Sequence, residues 1–141
     1  MDTSIVDNPN VDTLDQAEPV VSDYKSITSK LDEKQQMSLE KEIASFAISM
    51  LYNKKPKDIA VELDNGIYHG KYVGNEGNVI STKIKFNGTN LEWGNSDGRW
   101  RDTNYDDKLS YNLGSGMVTI NVTYSDGSGT SKNFESKVLH K

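Results

Sequence analysis

Apolar positions along the chain follow two different periods, and Pro56 divides them. Before Pro56, apolar side chains recur every three or four residues, at Leu39, Ile43, Phe46, Ala47 and Met50. This spacing places them on one face of a helix, with polar residues on the opposite face. Pro56 lacks the backbone N–H that a continuing helix needs. The sequence therefore predicts one long amphipathic helix that ends before residue 56.

Two overlapping residue pairs could start this helix. Ser29 and Asp32 are three residues apart, and so are Asp32 and Gln35. This is the spacing of a capping box. In this motif, the side chain of each residue accepts a hydrogen bond from the backbone N–H of the other at a helix N-terminus. The helix is therefore expected to begin within residues 29–32.

After Pro56 the apolar period changes to two, most clearly at Val118, Ile120 and Val122, which alternate with polar residues. Turn signals follow one another at roughly ten-residue intervals, a rhythm typical of strands joined by tight turns. Asn65-Gly66 is the dipeptide preferred in a type I′ hairpin. The predicted strands are residues 59–63, 67–73, 79–86, 89–93, 99–102, 108–113, 117–124 and 131–139. A second helix over residues 58–64 is the alternative to the first strand.

An antiparallel sheet with one apolar face must cover that face, and the helix is the other apolar surface in the chain. We therefore predict an α+β fold: one long N-terminal amphipathic helix packed on an antiparallel β-meander. The meander is expected to be a half-open barrel or a curved sheet of six to eight short strands. Residues 1–25 are predicted to be a disordered acidic tail, and residues 26–141 a single domain.

Charge is distributed unevenly between these two parts. Residues 1–23 contain six acidic residues and no Lys or Arg, so the chain's net charge of −5 leaves the other 118 residues at about +1. Only two arginines, Arg99 and Arg101, are present. A nucleic-acid-binding surface needs clustered Lys and Arg, so no nucleic-acid partner is expected. The longest apolar run is too short for a transmembrane segment.

Residues that could support catalysis or metal binding are few. The chain has no cysteine, and neither of its two histidines, His69 and His140, stands beside a recognisable nucleophile motif. Residues 102–107 begin like a calcium-binding loop, but Asp107 and Leu113 occupy the positions where an EF-hand needs Gly and Glu. We therefore expect no catalytic residue, no metal and no cofactor.

The best candidate for a binding surface is the segment of residues 91–107, which holds both tryptophans and both arginines. Trp and Arg are enriched where protein interfaces are strongest. The alternative is that the tryptophans are core partners on two strands joined by a turn at Asp97-Gly98. The candidate binding residues are Trp93, Asp97, Arg99, Trp100, Arg101, Asp102 and Tyr105.

Several short stretches resemble small lipocalin-like bacterial domains, which are secreted proteins or lipoproteins. They are Gly70-Lys71-Tyr72, Ser110-Tyr111-Asn112-Leu113, Val118-Thr119-Ile120 and Asp126-Gly127. The resemblance implies an exported β-domain, periplasmic or in the cell envelope, whose acidic tail is a tether. Membrane association would then occur only through a lipid anchor that has been removed.

These observations favour a non-enzymatic binding or inhibitor protein of the bacterial cell envelope, with a protein partner bound by the β-meander. The first alternative is an intracellular immunity protein against a toxin, or a phage-encoded inhibitor, which would be cytoplasmic. The second is a carbohydrate-binding or carbohydrate-active domain that uses Glu92, Asp97 and Asp102.

Overall fold

The long helix begins at a reciprocal cap. The structure, a computed structural model, describes residues 23–140, with side chains from residue 26 onward. A short helix, α1 (Asp23–Thr28), precedes the long helix, α2 (Glu33–Tyr52). Asp32 accepts a hydrogen bond from the Gln35 backbone N–H at 2.7 Å, and the Gln35 side chain accepts one from the Asp32 N–H at 3.0 Å. Of the two predicted pairs, Asp32 and Gln35 therefore cap α2.

Two sequence predictions concern the N-terminal residues. Residues 1–22, most of the predicted acidic tail, lie outside the described residues. The short helix α1, which the sequence analysis did not predict, begins at Asp23 and lies against the fifth strand of the sheet.

Seven strands follow α2 and a single 3-10 turn, Pro56–Asp58. Each strand pairs antiparallel with the next, in the order of the sequence. The predicted antiparallel meander is therefore confirmed, and the alternative helix over residues 58–64 is wrong. The strands are β1 (Ala60–Asp64), β2 (Ile67–Val73), β3 (Val79–Asn87), β4 (Asn90–Asn95), β5 (Lys108–Gly114), β6 (Met117–Thr123) and β7 (Gly129–Glu135).

Two strand boundaries have local causes. Asn65 and Gly66 both have positive φ, 52° and 79°, as the type I′ turn between β1 and β2 requires. The strand predicted over residues 131–139 ends at Glu135, because the chain then turns and the His140 N–H donates to the Ser136 carbonyl oxygen at 3.2 Å.

The helix α2 lies on the apolar face of the sheet and contacts β1, β2 and β6. Phe46 of α2 stacks on Phe134 of β7, with ring centroids 4.5 Å apart and an angle of 6° between the ring planes. Inward-facing residues of all strands from β2 to β7 complete the core. The fully buried large side chains are Ile43, Ile48, Ile84, Leu113, Val118 and Ile120.

Two carboxylates of α2 fix the helix to the sheet. The Tyr68 hydroxyl on β2 donates to Glu40 Oε1 at 2.6 Å. Burial, followed by this hydrogen bond, raises the pKa of Tyr68. Glu42 accepts a hydrogen bond from the Ser136 hydroxyl at 2.6 Å and another from the Lys137 backbone N–H at 2.8 Å. The helix is therefore attached both to an early strand and to the turn after the last strand.

Neither helix within residues 23–140 combines the length and apolar character needed to span a membrane.

Candidate functional site

Strands β4 and β5 are hydrogen-bonded over only a short length. Their register includes two residue pairs, Asn90 with Ser110 and Leu91 with Leu109. Beyond Leu91 the strands separate, and the chain that follows β4 folds back beside it. There Gly94 forms an isolated bridge with Trp100, and the Arg101 N–H donates to the Trp93 carbonyl oxygen at 2.7 Å. The strand predicted over residues 99–102 is therefore wrong, because only this one bridge forms.

A cavity of about 280 Å³ occupies the gap between the two strands and opens to solvent. It is lined by residues 90–93, 100–102 and 107–109, and we call it the β4–β5 cleft. The sequence could not show this gap, because it depends on where strand pairing stops rather than on any periodic pattern.

Gly94 allows the returning chain to lie close to β4. A side chain at this position would overlap the Arg99 carbonyl oxygen and come within 3.3 Å of the Trp100 Cα. Gly94 is itself buried. The close backbone approach that forms one wall of the cleft therefore requires glycine here.

The loop that closes the cleft is held by Asp106, which is 8% exposed. Its carboxylate accepts two hydrogen bonds from Arg99, at 3.0 and 3.2 Å, and two from Thr103, from the hydroxyl at 2.8 Å and from the backbone N–H at 3.1 Å. Arg101 lies 3.7 Å away. The hydrogen bonds from Arg99, and then those from Thr103, hold the pKa of Asp106 far below its usual range.

Asp106 belongs to the segment that resembles the start of a calcium loop, but its carboxylate is used by Arg99 and Thr103. Within residues 23–140, no group of three or more His, Asp or Glu side chains is arranged to hold a metal ion.

Both tryptophans are half-buried and in contact with cations. The Trp93 indole N–H donates to the Asp107 carbonyl oxygen at 2.9 Å, across the gap between β4 and β5. The Arg101 guanidinium carbon lies 5.8 Å from the Trp93 ring centroid. The Lys83 Nζ lies 4.4 Å from the Trp100 ring centroid. The two rings are not cross-strand partners, because the residue opposite Trp93 on β3 is Ile84 and Trp100 pairs with Gly94.

The structure brings four of the seven candidate binding residues to the cleft: Trp93, Trp100, Arg101 and Asp102. The other three lie outside it. Arg99 binds Asp106, Asp97 is exposed in the preceding turn, and the Tyr105 side chain is 89% exposed. The role of Asp106 was not predicted from the sequence, although Arg99 and Thr103, which bind it, stand close to it in the chain.

His69 does lie beside hydroxyl groups, although they are distant in sequence. Its Nδ1 is 2.8 Å from the Ser96 Oγ, which is 2.6 Å from the Ser81 Oγ. The three side chains belong to β2, β3 and the turn after β4. This chain of hydrogen bonds fixes that turn to the sheet and so supports the wall of the cleft.

No protein-family profile, curated protein or solved structure matches this chain significantly.

Proposed function

We propose that this chain is a non-enzymatic binding protein that attaches to a protein partner through the β4–β5 cleft. The observation that carries this proposal is the position of Trp93 and Trp100, both half-buried, in one solvent-open cleft. Half-buried tryptophans present a large apolar area to a partner. They also lose little side-chain freedom when the partner binds.

Hydrogen bonds hold the residues around the cleft in place, which favours binding without a large rearrangement. Asp106 is fixed by four hydrogen bonds, and the Trp93 indole by one to Asp107. A preorganised site loses less conformational entropy when its partner binds. A segment of irregular chain held on a rigid sheet is also a common location for binding residues.

The location that we propose is the bacterial cell envelope. It is supported by the sequence resemblance to small exported lipocalin-like domains. Fractionation of the native host tests it: recovery with the envelope fraction agrees with the proposal, and recovery with the cytosol would favour the intracellular inhibitor instead.

Affinity capture from the native host tests the partner. Three baits would be compared: the wild type, a Trp100→Ala, Arg101→Ala variant, and a control with Tyr124→Ala and Lys71→Ala. The control removes an aromatic ring and a cation from exposed positions outside the cleft. We expect one protein to be captured by the wild type and the control but not by the cleft variant. Equal capture by all three baits would contradict the proposal.

A further inference from the structure

The cations and the carboxylates at the β4–β5 cleft differ in whether they already interact with another group of the protein. Arg101 lies beside Asp106 and over Trp93, and the Lys108 Nζ donates to the Thr103 carbonyl oxygen at 2.6 Å. Just outside the cleft, Arg99 is bound to Asp106, and the Lys83 Nζ donates to the Gly98 carbonyl oxygen at 2.6 Å. Each of these four cations therefore has an internal partner, whereas Lys85, opposite Glu92 on β3, is exposed.

Unlike these cations, the carboxylates of the cleft have no internal partner among the described residues. Glu92, Asp102 and Asp107 line it, and none of their three side-chain carboxylates accepts a hydrogen bond from, or forms an ion pair with, another described residue. The hydrogen bonds to Asp106 raise the pKa of Arg99, and the charge of Asp102 raises it less. The cleft lining therefore holds three negative residues, Glu92, Asp102 and Asp107, against two positive ones, Arg101 and Lys108, and it includes the two half-buried tryptophans.

The size of the cleft limits what can enter it. Its volume of about 280 Å³ is slightly below the usual range for pockets that enclose a drug-sized molecule, and it is open on one side. One long side chain fits such a space. Lys and Arg combine an aliphatic stem, which suits apolar walls, with a cationic end that suits carboxylates and indole faces.

We propose that the β4–β5 cleft takes up one basic side chain, Lys or Arg, from the protein partner. The stem lies against Trp93 and Trp100, and the cation lies among Glu92, Asp102 and Asp107. This inference rests on the proposed function and adds the chemistry of the partner's contact.

A titration with short peptides tests this chemistry on the full 141-residue chain. The probes are acetyl-Gly-Arg-Gly-amide and the same peptide with citrulline, which keeps the shape of arginine without its charge. A chitin trisaccharide is the carbohydrate probe. The readout is the NMR signal of the two indole N–H groups, since both tryptophans line the cleft.

We expect the arginine peptide to shift the indole signals saturably, and the citrulline peptide and the trisaccharide to leave them unchanged. The triple variant Glu92→Gln, Asp102→Asn, Asp107→Asn should bind the arginine peptide about tenfold more weakly, the combined effect of three partly exposed charge pairs. A control variant, Asp64→Asn, Glu76→Gln, Glu135→Gln, makes the same charge change at exposed positions away from the cleft and should bind like the wild type.

Equal shifts with arginine and citrulline would overturn the inference, and so would unchanged binding by the triple variant or a response to the trisaccharide alone. These outcomes leave the proposed function standing if the cleft still captures a protein. Conversely, a preference for arginine without any protein captured at the cleft overturns the proposed function but not the charge preference.

Discussion

Arg99 and Asp106 form a two-pronged ion pair, with Nη1 3.0 Å from Oδ2 and Nη2 3.2 Å from Oδ1. This pair joins the two ends of the loop that closes the β4–β5 cleft. Since two parallel hydrogen bonds fix orientation as well as distance, the pair determines where the neighbouring residues Trp100 and Arg101 lie.

The ion pair predicts a specific pH dependence. The pKa of Asp106 is lowered in the folded state, so its carboxylate stabilises the fold at pH values above the ordinary value of 3.8. That contribution is lost as the pH falls below this value toward the lower folded-state pKa. We therefore expect Asp106→Asn to lower the Tm at neutral pH, and the difference from the wild type to shrink between about pH 4 and pH 2.

Thermal melts at several pH values measure this effect. Asp64→Asn is the control, because Asp64 is exposed at the end of β1. A constant difference between Asp106→Asn and the wild type at every pH would show that the ion pair does not stabilise the loop.

Gly94 should tolerate no side chain. Gly94→Ala would force the Arg99 carbonyl away from β4, and we expect a loss of about 1 to 3 kcal/mol of unfolding free energy, as for other overpacked sites. Gly98→Ala, in the turn that follows β4, is the matched control, since its new Cβ would come no closer than 3.4 Å to another atom. Urea unfolding, monitored by tryptophan fluorescence, distinguishes the two variants. Equal stability would mean that the close backbone approach is not required.

Removing the hydroxyl of Thr82 should stabilise the fold. This side chain is fully buried on β3, and its Oγ1 has no hydrogen-bond partner among the described residues. We expect Thr82→Val to raise the unfolding free energy by about 1 kcal/mol or more, because an unsatisfied buried polar group is lost. Thr119→Val should instead destabilise, since the Thr119 hydroxyl donates to Asn133 Oδ1 at 2.6 Å. A destabilised Thr82→Val variant in urea unfolding would mean that the hydroxyl is satisfied in solution.

Phe46 tests the packing of α2 on the sheet. Its ring is 8% exposed and stacks on Phe134, so Phe46→Ala should cost about 3 to 5 kcal/mol of unfolding free energy. Met37→Ala, on an exposed position of the same helix, should change stability by less than about 0.5 kcal/mol. Similar denaturant midpoints for the two variants would mean that α2 does not pack on β7 through Phe46.

Much of the fold follows from local patterns in the sequence. The apolar period of α2, its cap at Asp32 and Gln35, and the Asn65-Gly66 turn are all determined by residues close together in the chain. Two features are not. The loop around Asp106 depends on an ion pair that carries no periodic signal, so a strand was predicted there. The gap between β4 and β5 depends on where strand pairing stops.

The candidate site also followed from the sequence only in part. Residue type alone drew attention to Trp93, Trp100 and Arg101, because Trp and Arg are common at interfaces. The same criterion selected Arg99, whose side chain instead binds Asp106 within the protein. Composition could not distinguish these roles, because they depend on which side chain reaches the buried carboxylate.

Site-specific photo-crosslinking in the native host tests whether a protein partner contacts the β4–β5 cleft. A photoreactive benzoylphenylalanine would replace Asn90, an exposed residue of the cleft, and in a control chain Glu76, an exposed residue of the β2–β3 turn. We expect one crosslinked protein from position 90, absent from position 76 and lost with Trp100→Ala. A partner crosslinked at position 76 and not at position 90 would contradict the proposed contact.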